Sequence, residues 1–371
     1  MIDIPATYES SRERFRASLA SFSALGFDPV LTSIPLADNP DLTIDVIRAD
    51  ARREKEKFFI LTTGLHGIEG YIGAGVIQIF IEEFLPHFDP ETTGVAIVHP
   101  INPYGMKHHQ RFNPKGVDLN RNFVEDFERL KSVNPHYEAL GFLINPRRPL
   151  KSPLYEKAAF FWNVLKALPK GVHHVRETSL MGQYRVGNGI YFGGFEAQEE
   201  TRIMMKLYDE VLRGYAQILA LDIHTGYGPR WQMSVMNPPS ETMTARETES
   251  RFKVPLAAGV NPDEFYTIHG DISEYLHRLI RSNHPEKRFY VGGFEFGTYG
   301  DSIWQQLRSL RITVLEHALR RFGGSGAARE WVKRGYDELF LPADPKWREK
   351  AWHDARVAFE GIFGAEGFVK S

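Results

Sequence analysis

The sequence predicts an α/β fold, a mixed and mostly parallel sheet with helices on both faces. Three observations predict it. Phe58-Phe-Ile-Leu-Thr-Thr63, Val95-Ala-Ile-Val98 and Ile218-Leu-Ala-Leu-Asp-Ile223 are short, nearly continuous apolar runs. Runs of that length suit strands buried on both faces. Helical stretches separate them, so strand and helix alternate in the first third and again after residue 200.

Taken in order, residues 7–25 read as an amphipathic helix ending near Gly26. Leu42-Thr-Ile-Asp-Val-Ile-Arg48 alternates apolar and polar residues, which suits a strand with one wet face. Residues 58–63 form a central strand. Gly70 to Leu85 reads as a helix ended by Pro86, and 95–98 as the next strand. Between 124 and 200 the pattern is broken by Pro135, Pro146, Pro149, Pro153 and Pro169, leaving a helix near 154–167 and a hairpin turn at Asn188-Gly189. Regular structure resumes with a helix over 202–215, strands over 218–223 and 232–236, a helix over 273–281 and a strand over 289–296. Helices over 302–321 and 346–363 close the chain. No repeat, low-complexity tract or Gly/Ser linker divides it. One domain over 1–371 is expected, with 124–200 as an elaboration on the sheet.

Composition narrows the chemistry. The 371 residues include no cysteine and 14 histidines. Disulfides, a thiolate nucleophile, iron–sulfur clusters and cysteine zinc sites are excluded, so any metal must be held by His and carboxylates. Lys plus Arg is 45 and Asp plus Glu is 47, a formal charge of −2. That balance argues against a dedicated nucleic-acid or membrane-surface binder. Met1 to Phe22 is rich in charge and lacks the apolar core of a secretory signal. No run approaches the roughly 18 apolar residues of a membrane span. A cytoplasmic protein is expected.

The most informative segment is Thr62-Thr-Gly-Leu-His-Gly-Ile-Glu-Gly70. It puts His66 and Glu69 between a buried strand and a helix, at the carboxyl end of the strand, where open α/β sheets bind ligands. Alone it also fits a plain turn with an acid at a helix start. Leu221-Asp-Ile-His224 puts a second histidine after another buried strand. Two His and one Glu are a common ligand set for catalytic zinc, which needs three protein ligands and an open fourth position. Glu295 interrupts the apolar strand Phe289–Phe296 near its end. A carboxylate there is either paired with an arginine or used as a general base. Asn102-Pro-Tyr-Gly105, Arg111 and Gly116-Val-Asp-Leu-Asn-Arg-Asn-Phe123 form one loop system after the 95–98 strand. Its guanidinium and amide groups suit recognition of carboxylates and oxyanions. Metal-protease H-E-x-x-H, G-x-S-x-G and P-loop motifs are absent.

The ordered set of H-x-x-E, N-P-x-G, Arg, G-V-D-L-N-R-N-F, a lone His after a strand and a late Glu resembles the zinc carboxypeptidase superfamily over residues 40–320. The resemblance implies an eight-stranded sheet and one zinc ion on His66, Glu69 and His224. It implies Glu295 as base and proton shuttle, Arg111 as oxyanion and substrate clamp, and Asn120 and Arg121 as holders of a substrate carboxylate. Asp118 would orient His66, and Tyr266 would be the active-site tyrosine. The family arginine before the metal-binding Glu is replaced by Ile68. The G-L-H-G-I-E-G form, with Met181-Gly-Gln-Tyr-Arg and Ile190-Tyr-Phe-Gly-Gly194, is similar to a bacterial branch of unassigned function. Amide hydrolysis is implied, by a carboxypeptidase-like enzyme on small peptides or by a deacylase or amidase of N-acyl amino acids or cell-wall peptides. A metal-containing binding protein without turnover is the alternative of another class. The other twelve histidines are expected to be surface or packing residues.

Overall fold

The computed structural model describes residues 2–259 and 269–369. Its centre is one eight-stranded sheet. The strands are β1 (Val30–Leu36), β2 (Asn39–Ala49), β3 (Lys57–Thr63), β4 (Thr93–His99), β5 (Gln217–Thr225), β6 (Met233–Asn237), β7 (Ala257–Gly259) and β8 (Arg288–Phe296). Their order across the sheet is β1-β2-β4-β3-β5-β8-β6-β7. The central run β4-β3-β5-β8 is parallel, while β2 and β6 join it antiparallel. The predicted α/β class, with a mixed sheet and covered faces, is what forms.

Alternate residues of the central strands feed opposite layers. Phe59, Leu61, Val95, Ile97, Leu219 and Leu221 pack with the Gly70–Ile79 and Pro345–Glu366 helices. Phe58, Ile60, Ala96, Val98, Ile218 and Ala220 pack with the Glu199–Leu212 and Ile272–Asn283 helices. Burial of both faces explains why these strands read as unbroken apolar runs.

Four local expectations are corrected. The segment 7–25 forms two helices, Tyr8–Ala17 and Leu19–Ala24, because Ser18 ends the first and turns its hydroxyl onto the Arg14 carbonyl. The polar face of β2 is not wet. Thr43 and Asp45 are buried because the first helix covers them with partners: the Tyr8 hydroxyl accepts from the Thr43 N–H at 2.9 Å, and Arg16 meets Asp45 at 2.6 Å. The helix after Gly70 is α-helical to Ile79, then widens to a π turn over Phe80–Phe84 before Pro86 stops it. No hairpin forms at Asn188-Gly189. Gln183 and Phe192 make an isolated parallel bridge around a compact loop, and the Asn188 carbonyl is taken by His317 and Arg321.

The Gly326–Phe340 helix escaped the sequence pattern. Residues 124–200 build their own apolar cluster of Tyr137, Leu143, Phe160, Val164 and Ile190 against the Ile303–Phe322 helix. Among the described residues no helix is long and apolar enough to cross a membrane.

Candidate metal centre

The site lies at the carboxyl ends of β3, β5 and β8. After β3 the chain turns at Gly64 (φ +68°), and His66 caps a short 3-10 turn, Gly67–Glu69. The turn must lie flat on its neighbour. A side chain on Gly67 would stand 2.1 Å from the Gly105 carbonyl carbon, so only glycine fits. This seat aims His66 and Glu69 at the same point. His224, the next-to-last residue of β5, brings its ring to the same point.

His66, Glu69 and His224 are the metal-capable group found among the described residues, with one ligand atom from each within 4.8 Å of the others. His66 Nδ1 is 2.9 Å from Glu69 Oε1, and His224 Nδ1 is 3.3 Å from Glu69 Oε2. The two Nδ1 atoms are 3.3 Å apart. Each ring turns its other nitrogen to an aspartate: His66 Nε2 to Asp118 at 3.2 Å and His224 Nε2 to Asp222 at 2.6 Å. A neutral imidazole has one N–H, and the aspartates claim it. Three lone-pair atoms are therefore left facing one another.

Such a cluster calls for a proton or a cation. Burial alone would lower the pKa of His224, but the charge and hydrogen bond of Asp222, with Glu69, raise it well above the usual value. Burial would raise Glu69, yet His66 and His224 outweigh it and hold the carboxyl down to about 2. Glu69 Oε1 accepts no well-formed hydrogen bond although it is buried. A tetrahedral zinc with Zn–N bonds of about 2.0–2.1 Å separates two nitrogens by about 3.3 Å. The donor set and its spacing fit that ion.

Asp118 engages three groups, one of them the Asn120 N–H, which donates to Oδ1 at 3.0 Å. Its Oδ1 faces His66 and its Oδ2 accepts from Arg111 Nε at 3.0 Å. Burial opposes its charge, but Arg111 and His66 hold its carboxyl well below the normal range. Arg111 also reaches Glu69 at 3.5 Å and lies over the Tyr191 ring. Glu295 stands in register with His224 across the β5–β8 pair and accepts the Tyr227 N–H at 2.9 Å. Burial pushes its pKa up to about 7. His224 pulls against this and Glu69 adds to it.

His66, Glu69, Arg111, His224 and Glu295 line a cavity of about 210 Å³. Leu180 and Tyr191, from the elaboration, form part of its wall. Asn120 and Arg121 line it too, with their polar atoms engaged. Asn120 donates to Asp271 at 2.9 Å and accepts from the Ile272 N–H at 3.1 Å. Arg121 donates to the carbonyls of Asn120 and Leu180, and among the described residues its buried Nε has no partner. Tyr266 lies outside the described residues. Ile68 is fully buried beside Ile312, Tyr336, Leu339 and Phe340, so an apolar cluster occupies the family arginine's position.

Asp222 is the site residue that sequence reasoning missed. The signal was present, since residues two apart on a strand share a face. Asn122 was also passed over. Its side chain donates to the Gly193 and Glu196 carbonyls and ties the elaboration to the loop.

A family model described as protein of unknown function (DUF2817) matches residues 5–354. The chain belongs to that family. A sequence search of curated proteins finds no match. In structure, this family member is similar to several solved proteins. One is carboxypeptidase A from Helicoverpa armigera (TM-score 0.47, 13% identity, covering 92% of this chain and 75% of that one). Another is bovine thrombin-activatable fibrinolysis inhibitor, solved with a tick carboxypeptidase inhibitor (TM-score 0.46, 11% identity, 88% of this chain and 96% of that one). A third is the succinylglutamate desuccinylase of Chromobacterium violaceum (TM-score 0.38, 12% identity, 81% and 72%).

Proposed function

We propose that this protein is a zinc-dependent hydrolase that cleaves an amide bond in a small peptide or an acylated amino acid. The whole chain works as one catalytic domain, with 124–200 closing one side of the cleft. The observation that carries this reading is the meeting of three acceptor atoms, His66 Nδ1, His224 Nδ1 and Glu69 Oε, beside the buried carboxyl of Glu295. A divalent ion held there supplies Lewis acidity, making water nucleophilic near neutral pH and polarising the scissile carbonyl.

The chain's own residues do the rest. Asp118 and Asp222 fix the two imidazoles and keep Nδ1 free of a proton. Glu295 takes the proton of the attacking water and passes it to the leaving amine. Burial raises its pKa above the ordinary carboxylate value, which makes it a better proton acceptor and carrier. Arg111, locked by Asp118, holds positive charge at the cavity wall where the oxyanion develops. Arg121 and Asn120 are the candidates for a substrate carboxylate, with the unpartnered Nε of Arg121 as its anchor.

Carboxypeptidase and N-acyl amino acid deacylase are the two readings of this site. Both functional ends of the Asn120 amide are bound to Asp271 and Ile272, so in either reading Arg121 is the freer candidate for the substrate carboxylate. Zinc-loaded protein assayed on C-terminally free peptides and on N-acyl amino acids separates these readings. Cleavage of the first panel supports the peptidase, and cleavage of the second alone replaces it with the deacylase. No turnover of either by stoichiometrically loaded protein removes the enzyme reading and leaves a binding protein.

A further inference from the structure

We propose that the outer face of the Pro153–Ala167 helix docks the protein onto an anionic lipid surface. The helix is fifteen residues long and carries two apolar stripes. Phe160, Val164 and Ala167 face inward and pack in the elaboration's core. Leu154, Phe161, Trp162 and Leu165 follow the same helical spacing on the opposite side and stand in solvent, with Leu154 79% and Trp162 60% exposed. Exposed Leu168 and Trp304 extend the stripe, and the Trp304 ring stacks on Phe161 at 6.3 Å. A monomer rarely leaves so many large apolar side chains together in water.

The surrounding charge selects the occupant. From 139 to 171 the chain has six Lys and Arg residues and one acid, Glu156. That acid is buried and neutralised by Arg148 at 2.7 Å. Lys151, Lys157, Lys166 and Lys170 are exposed along the same helix and its ends. The chain-wide charge of −2 conceals this basic face. Pairing the stripe with a second copy about a two-fold axis would set these lysines against their own equivalents with no exposed acid in the segment. An anionic membrane satisfies both halves: the ridge of Trp, Phe and Leu enters the headgroup boundary, and the lysines meet the lipid phosphates. The Ile303–Phe322 helix, which begins beside this ridge, lines the cleft with Gln306, Leu310 and Thr313. Docking would therefore hold the cleft close to the bilayer.

Vesicle sedimentation of the full chain tests this, independently of turnover. Vesicles of phosphatidylcholine alone are compared with vesicles containing equal phosphatidylglycerol. Binding to the mixed vesicles should be at least about tenfold tighter and should fall at about 0.5 M salt. Trp162→Ser with Leu165→Ser, and separately Lys166→Glu with Lys170→Glu, should each weaken it about tenfold while melting and metal content stay at wild type. The charge pair alters only exposed side chains, so the result stands even if the first variant misfolds. Equal or absent binding to the two vesicles overturns the proposal. So does wild-type binding by the charge variant, or a concentration-dependent dimer that Trp162→Ser with Leu165→Ser abolishes.

Discussion

His66 and His224 face each other through Nδ1 atoms 3.3 Å apart, while each gives its Nε2 side to an aspartate. His66 comes from the turn after β3 and His224 from β5 itself, yet both are anchored the same way, by Asp118 and Asp222. Orientation by these carboxylates is what leaves the pair ready for a cation.

Uptake of one divalent ion per chain is expected, and Asp222→Ala should weaken it about 10- to 100-fold, as loss of a carboxylate behind a metal-binding histidine does. Competition with a chromogenic chelator measures this. Because Asp222 raises the pKa of His224, protons compete with the metal, and affinity should fall as pH falls. His66→Ala that binds zinc like wild type would remove the site.

Glu295→Gln should keep the metal and lower kcat by at least about 100-fold. Glu295 acts as a carboxylate, so kcat/KM should rise with pH through its pKa. Burial sets that pKa near 7 in the protein alone, and a nearby dication lowers it. The acid limb therefore belongs at or below about 7 in a pH–rate profile of the loaded enzyme. A limb unchanged in the residual activity of Glu295→Gln would assign it to another group.

Glu316 offers a pH test away from the chemistry. Burial raises its pKa to about 7, Arg320 opposes this only in part, and among the described residues its Oε2 has no hydrogen-bond partner. The folded protein keeps this proton to about pH 7, whereas the unfolded chain releases it above the ordinary value of 4.5. Its contribution to stability is therefore complete below about 4.5 and is lost as pH rises to 7, by up to about 3 kcal/mol. Glu316→Gln should raise the melting temperature at pH 8 and leave it little changed at pH 4.5. Equal shifts at both pH values would contradict this.

The sheet and the meeting of His66, Glu69 and His224 were legible for the same reason. Central parallel strands are buried on both faces and so read as apolar runs, and His66, Glu69, His224 and Glu295 sit where those runs end. The rest was hidden by local compensation. Thr43 and Asp45 look solvent-facing, yet Tyr8 and Arg16 satisfy them inside. The Gly326–Phe340 helix follows a glycine-rich stretch and contains Gly335. That glycine reads as a breaker, but a side chain there would stand 2.8 Å from Ile312 Cδ1, so close packing requires it. Ile68 showed only what was missing; what surrounds it comes from residues 312–340.

Ile68→Arg, which restores the residue of the resembling family, should not restore carboxypeptidase specificity. The guanidinium would enter the cluster of Ile312, Tyr336, Leu339 and Phe340. A buried charge without a partner there should cost at least about 3 kcal/mol in denaturant unfolding. A variant as stable as wild type would mean that this cluster opens readily.

The register between β5 and β8 carries one more consequence. His224 and Glu295 are direct partners on neighbouring parallel strands. Their backbones are set by the inter-strand repeat of about 4.8 Å, a constant of the peptide ladder that no side chain can tune. The spacing of the His224 and Glu295 backbones is thus written into the scaffold. The cleft walls, built from separate loops and helices, are free to diverge around a fixed chemical ruler.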